Sequence, residues 1–366
     1  MPSLLAETSR LRGAWQGRIS GCLLGKPLEI LSFEKGREGL LAYLERADAL
    51  PLRDYVPFLE GTLRERDLKS CCRDHIRRAE PDDDINYTVL ALMLLENHGA
   101  ALTTEDVART WIRLLPAGAT WTAERAAYKT VLCSMADEFV NGAEPGFDLA
   151  ECSDNPWNEW IGGQIRADLY GWVCLGRPEL AADLATRDAS LSHRNDGVYG
   201  AAFVAALGAA IPVTADIGEA VKTALRHIPE NSGAAHAVKF GFGLAAADNA
   251  VEQLHAEFAG MSPVHTLNNL AVVVWALSSA QDDFSAAIGN AVTAGWDTDC
   301  NGATVGGLFG LTGIPIPTHW TKPWAGRVGV SLAGLHELSL DSLVARTKDV
   351  SRQLADSAPP GQGICS

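Results

Sequence analysis

Apolar positions recur along this chain with the 3.6-residue period of helices, and alternating strand patterns are almost absent. Between Asp216 and Ile228, the residues Ile217, Ala220, Val221, Ala224, Leu225 and Ile228 fall on one helical stripe. The stretch "NYTVLALMLLENHG" predicts another helix, with Asp84 near its start and Gly99 just past its end. "TTEDVARTWIRLLP" predicts a third, capped by Thr103 or Thr104 and stopped by Pro116. The same patterning predicts helices in "AERAAYKTVLCSMADEFV", "PELAADLATRDASLSH", "GVYGAAFVAALGAA" and "LNNLAVVVWALSSA". Only "GRVGVSL", around Val328, alternates as a strand would.

No glycine-serine linker, charge block or clear repeat divides these elements. The pattern predicts one all-α domain over residues 1–355 with long functional loops. Within it, the proline- and charge-rich stretch from Leu50 to Arg78 is expected to leave the core as an excursion. Residues 356–366, "DSAPPGQGICS", are expected to form a loose tail.

Composition narrows the class. The chain has 366 residues, 47% of them hydrophobic, enough for a sizeable core. Its 45 acidic and 30 basic residues leave a formal charge of −15, which argues against binding a nucleic-acid duplex. Glu7, Arg10 and Arg12 interrupt the place where a signal peptide needs an apolar run. "YGAAFVAALGAAIPV" is expected to be too short and too broken to span a membrane. The eight cysteines show no framework spacing and no CxxC pair, which suggests reduced thiols and a cytoplasmic protein.

Two acidic clusters carry the candidate chemistry. "GWDTDCNG" places Asp297 and Asp299 one residue apart, followed by Asn301 and Gly302. An EF-hand loop starting at Asp297 would need a bidentate Glu at its twelfth position, where Leu308 stands. The bland alternative, a helix cap, explains one aspartate at about 1 kcal/mol and leaves the other unexplained. "EPDDDINYT" sets Asp82, Asp83 and Asp84 directly before an apolar helix. A helix dipole returns roughly 0.3–1 kcal/mol for a negative charge there. Two carboxylates about 4 Å apart repel by about 1 kcal/mol in water and about 4 kcal/mol at an effective dielectric near 20. Three in succession therefore call for full solvation or a bound cation. Oxygen-only ligands suit Mg²⁺, Mn²⁺ or Ca²⁺, and five carboxylates could hold two such ions if the two junctions face each other.

Taken in order, "GRISGCLLGKPLE", "DDDINYT", "ASLSH" and "GWDTDCN" resemble the motifs of the ADP-ribosylglycohydrolase family, which includes dinitrogenase-reductase-activating glycohydrolases and ADP-ribosyl-acceptor hydrolases. The resemblance implies an orthogonal multi-helix bundle with a central metal cleft and two divalent cations, Mg²⁺ or Mn²⁺. It implies hydrolysis of the ribosyl glycosidic bond of an ADP-ribosylated protein or small molecule. On this resemblance Asp82, Asp83, Asp84, Asp297, Asp299 and Cys300 would occupy the metal-binding positions. Asp84, then Asp83, would position or deprotonate the attacking water, and Glu29 would gate or assist catalysis. His193 matches the family histidine expected at the ribose-diphosphate. "IGGQIRAD" resembles a further substrate segment, making Gly163, Gln164 and Arg166 candidate contacts. Asn155, in a Pro-containing loop, suits a nucleotide pocket, and Trp296 is placed to stack against or narrow one.

This chain departs from the family pattern at four motif positions: Cys22 and Asp82 replace the usual Asp and Thr, Cys300 replaces a metal-binding Thr, and Trp296 replaces the second glycine of the last loop. A thiol is a poor ligand for Mg²⁺. Two other readings remain beside the hydrolase: a non-catalytic ADP-ribose-binding homologue, and a binuclear-metal nucleotide phosphohydrolase.

Overall fold

The computed structural model of the chain describes residues 4–62, 68–134, 139, 141–144 and 148–356. Helices dominate, as the periodicity requires. In chain order they are α1 (Leu4–Gly25), α2 (Glu29–Arg46, broken at Gly36), α3 (Asp83–His98), α4 (Thr104–Leu114), α5 (Thr122–Cys133), α6 (Gly162–Ile165), α7 (Asp168–Val173) and α8 (Pro178–Ala189). There follow α9 (Asn195–Ala210), α10 (Ile217–Ala224), α11 (Gly233–Gly243), α12 (Ala250–Glu257), α13 (Thr266–Ser279), α14 (Phe284–Thr293), α15 (Thr298–Gly310), α16 (Thr318–Thr321) and α17 (Leu340–Asp356). The strand around Val328 exists: β1 (Arg327–Gly329) pairs antiparallel with β2 (Glu337–Ser339), Val328 opposite Leu338. The result is an all-α multi-helix bundle.

The ends of these helices follow local chemistry. Thr103 starts α4 with a capping box, its hydroxyl taking the Asp106 N–H while the Asp106 carboxylate takes the Thr103 N–H. Asp216 caps α10 through the Glu219 N–H. Gly99 ends α3 at φ 54°, a conformation most side chains resist. The helix expected in 123–140 is described from Thr122 to Cys133; positions 135–138 and 140 lie outside the described residues.

The axis of the bundle is the antiparallel contact of α1 with α15. Gly13, Gly17, Gly21 and Gly25 face Gly310, Gly306, Gly302 and Thr298 in turn, backbone against backbone. A Cβ on Gly17 would lie 1.9 Å from the Gly306 carbonyl oxygen, and one on Gly21 1.9 Å from that of Gly302. Only glycine lets two helix axes approach this closely. On another face α1 meets α17, where the Trp15 indole donates to Thr347 Oγ1 at 2.9 Å.

Two expectations need correcting. The stretch from Leu50 to Arg78 is no excursion: among its described residues Leu52, Tyr55, Val56, Cys71, Cys72 and Ile76 are buried, and the Tyr55 hydroxyl donates to the Trp320 carbonyl. Proline and charge density mark irregular backbone here, not distance from the core. The apolar segment at α9 is also longer than expected, because a 3₁₀ turn carries the helix through Pro212 to Val213. Over Asn195–Val213 it is long and apolar enough to cross a membrane, yet 72% of it is buried inside the fold against other helices. Its apolarity is spent on the core. Of the expected tail, 356–366, Asp356 closes α17 and residues 357–366 lie outside the described residues.

Candidate active site

The glycine contact brings the two acidic junctions together. Where α1 ends, Gly25 lies against Thr298, and the Thr298 hydroxyl donates to the Gly25 carbonyl at 2.9 Å. The start of α15, with Asp297 and Asp299, is thereby pinned beside Lys26 and Glu29. The start of α3 meets the same place, because Arg18 in α1 donates to the Asp84 carboxylate at 2.9 Å and to its carbonyl. A cleft of about 700 Å³ opens there, lined by Lys26, Glu29, Asp82, Asp83, Asp297, Asp299 and Cys300. Ile30, Phe33, Trp121, Trp160 and Val264 form its apolar wall.

The carboxylates within it are not equivalent. Asp82 is the cap of α3: one oxygen accepts the Asp84 N–H at 3.0 Å and the other accepts from Lys26. Although burial opposes its charge, Lys26 and these hydrogen bonds hold its carboxyl below the usual range. Asp84 is fully buried and paired with Arg18, which also binds Asp168 at 2.8 Å. Its second oxygen has no partner. Asp83 is half-buried and reaches the cleft wall, which Asp84 does not. Burial, then the charges of Asp82, Asp84, Asp299 and Glu29, push the Asp83 carboxyl far up.

On the opposite jaw, Asp297 occupies the cap position of α15 but its side chain makes no capping bond. One of its oxygens is buried without a partner. The cap explanation therefore fails for Asp297. Burial and Asp299 raise its carboxyl well above the ordinary range, while Asp299 is pushed up to about 6 by burial and Asp82. Glu29, the first residue of α2, is raised by burial and by Asp299. Such shifts mean that the site is starved of positive charge.

Ligand atoms of Glu29, Asp297 and Asp299 lie within 4.8 Å of one another, as do those of Asp84, Asp299 and Cys300, and those of Cys22, Asp82 and Asp84. The first set is all oxygen and suits a hard divalent cation; the other two each contain a thiol. The orphaned oxygens of Asp84 and Asp297 fit an ion between the jaws. The Cys300 thiol is driven up by burial and the surrounding carboxylates, so it stands as a neutral group on the cleft wall.

The remaining predicted contacts do not line the cleft. Arg166 is buried behind it, donating to Asp188 at 2.9 Å and to Glu124 at 2.8 Å, with Tyr87 and Trp111 against its guanidinium. His193 is buried and held neutral by desolvation, its Nε2 accepting the Gly163 N–H at 3.1 Å. Gly163 abuts the Gly197 carbonyl, and Gln164 is fully buried. Asn155 folds its own loop, accepting the Trp157 N–H and donating to the Ser192 carbonyl. Trp296 stacks on His255 at 4.1 Å and packs edge-on to Phe258. These residues shape the support behind the cleft; Glu124 is the member of that network that reaches its wall.

Sequence reasoning missed Arg18 and Lys26, the two cations that α1 and the turn after it supply to the acidic cluster. Their signal was present: Arg18, Cys22 and Lys26 recur every four residues, on one face of the helix that carries the glycines. It also missed Trp121, 58% exposed at the cleft mouth, for which no local pattern spoke.

Glycine-packed helices of this bundle close two acidic junctions into one cleft. The ADP-ribosylglycohydrolase family model matches residues 3–352, and the chain belongs to that family. A solved structure described as "ADP-ribosylglycohydrolase-related protein complex" shares the fold, with a TM-score of 0.62 and 19% identity over 96% of this chain and 100% of that one. Comparison with curated proteins finds no match.

Proposed function

We propose that this chain hydrolyses the ribosyl glycosidic bond of an ADP-ribosylated protein or small molecule, with Mg²⁺ or Mn²⁺ held between its acidic jaws. Family membership supports a glycohydrolase of ADP-ribose linkages. The observation that carries the cation is the pair of buried, partnerless oxygens on Asp84 and Asp297. Asp297, Asp299 and Glu29 would hold the ion, and Asp84, whose second oxygen is free, lies within ligand distance of Asp299. Such an ion, when bound, orients vicinal ribose hydroxyls and acidifies a water.

The chain's own groups do the rest. Asp83, not the Arg18-paired Asp84, is the carboxylate placed to take a proton from the attacking water, since it reaches the cleft wall. Negative charge around the cleft stabilises the oxocarbenium character that develops at the ribosyl carbon. Trp121, Trp160 and Phe33 exclude water from one side and offer apolar faces to a nucleotide. The described cysteines are free thiols, which supports the cytoplasm as the proposed location.

The test is product analysis on ADP-ribosyl-arginine, ADP-ribosyl-serine and free ADP-ribosyl compounds, with Mg²⁺, Mn²⁺ or chelator. Release of ADP-ribose that stops on chelation supports the proposal. AMP or inorganic phosphate would assign a phosphohydrolase instead, and the absence of any product a binding protein.

A further inference from the structure

Three consecutive aspartates need positive charge, and α1 provides part of it from within the chain. Arg18 lies in α1 and Lys26 in the turn just past its end, about two helical turns on, where the Lys26 N–H still bonds the Cys22 carbonyl at 2.9 Å. Arg18 neutralises Asp84, and the Lys26 ammonium sits on the second oxygen of Asp82 while also donating to the Pro81 carbonyl at 2.8 Å. Because the first oxygen of Asp82 caps α3, both of its oxygens are committed. The Lys26 pair is largely buried, its side chains 19% and 5% exposed, so the two charges are held at close range.

This bears on which carboxylates can take an ion. Asp82 belongs to the Cys22–Asp82–Asp84 set, whose ligand atoms come within 4.8 Å of one another. Lys26 takes one Asp82 oxygen and the Asp84 N–H the other, while Arg18 takes one oxygen of Asp84. Asp84 still has its other oxygen free, whereas Asp82 has none.

We propose that Lys26 is a resident cation that withholds Asp82 from the metal site, so that the divalent ion is bound without Asp82. Lys26 is thus a positioning residue: it sets how many carboxylates the ion can use. The inference rests on the divalent-ion reading above.

Mn²⁺ stoichiometry and Kd, measured by equilibrium dialysis on the full chain, test it. Lys26→Met frees Asp82 and should bind Mn²⁺ at least fivefold tighter, or bind one more ion per chain. Lys26→Met combined with Asp82→Asn removes a neutral pair that ligates nothing, and should match the wild type within fivefold and in ion number. Asn keeps the cap of α3, which protects folding. Lys26→Arg, which keeps the charge, should also bind as the wild type does, and Lys26→Gln repeats the loss if the Met variant does not fold. Loss of an ion, or of more than fivefold in affinity, in the double variant would make Asp82 a ligand and overturn the proposal. So would Mn²⁺ binding by Lys26→Met and Lys26→Gln that does not differ from wild type. A wild-type chain that takes up no Mn²⁺ refutes the divalent-ion reading itself, and this inference with it.

Discussion

Replacing Gly17 with alanine tests the contact that builds the cleft. In an isolated helix the change gains about 1 kcal/mol, because alanine loses less backbone freedom than glycine. Here the new Cβ would stand 1.9 Å from the Gly306 carbonyl oxygen, and contacts under 3.0 Å essentially never occur. Both partners are backbone in the middle of long helices, so neither can rotate away as a side chain would. Either α1 shifts off α15 or the strain stays, and overpacking of this kind costs about 1–3 kcal/mol or more. We expect a net loss of up to about 2 kcal/mol after the propensity gain, or up to about 2.6 °C in Tm at about 2.1 cal/mol/K of unfolding entropy per residue. Gly243→Ala is the control: it lies at the end of α11 with nothing within 4 Å of its would-be Cβ, and should be neutral or stabilising by up to about 1 kcal/mol. Thermal and urea unfolding of both variants measure the difference. If Gly17→Ala were as stable as Gly243→Ala, the close approach of α1 and α15 would be wrong, and with it the juxtaposition of the jaws.

Asp297→Asn removes a buried carboxylate with one oxygen that lacks a partner, so the metal-free chain should melt higher while losing both Mn²⁺ binding and hydrolysis. Melting with and without MnCl₂ shows this. The wild type should gain about 2.7 kcal/mol at a hundredfold excess over Kd, the gain should vanish with chelator, and the variant should gain nothing. Arg166→Met leaves Glu124 and Asp188 buried without their cation and should cost about 3–5 kcal/mol in urea denaturation, with little binding of substrate left to assay. Trp121→Ala, at an exposed position on the cleft wall, should leave stability within about 0.5 kcal/mol while raising KM for an ADP-ribosyl substrate with kcat little changed.

The outcomes at single residues show where reading the chain succeeds. Helices at Thr104–Leu114, Pro178–Ala189 and Thr266–Ser279 match the apolar periodicity, because period and caps are local properties. Asp82, Asp83, Asp84, Asp297 and Asp299 stood out because clustered like charges are costly enough to demand a reason. Arg166 and His193 could not be placed by the same means. A buried arginine with two carboxylate partners, 22 and 42 residues away, has the same sequence as one facing a ligand. Trp296 likewise turned to His255, which lies far from it in the chain.

The sequence by itself determined the helices, their caps and the presence of two acidic junctions, since each depends on residues within a turn or two of one another. Tertiary structure alone decided that the junctions meet, which of the three aspartates at 82–84 reaches the cleft, and which are neutralised from α1. The reason is distance along the chain. Arg18 and Asp84 are 66 residues apart, and Gly25 and Thr298 are 273 apart. Contacts of that span are set by how closely helix backbones can pack, and the glycines of α1 and α15 make that approach possible.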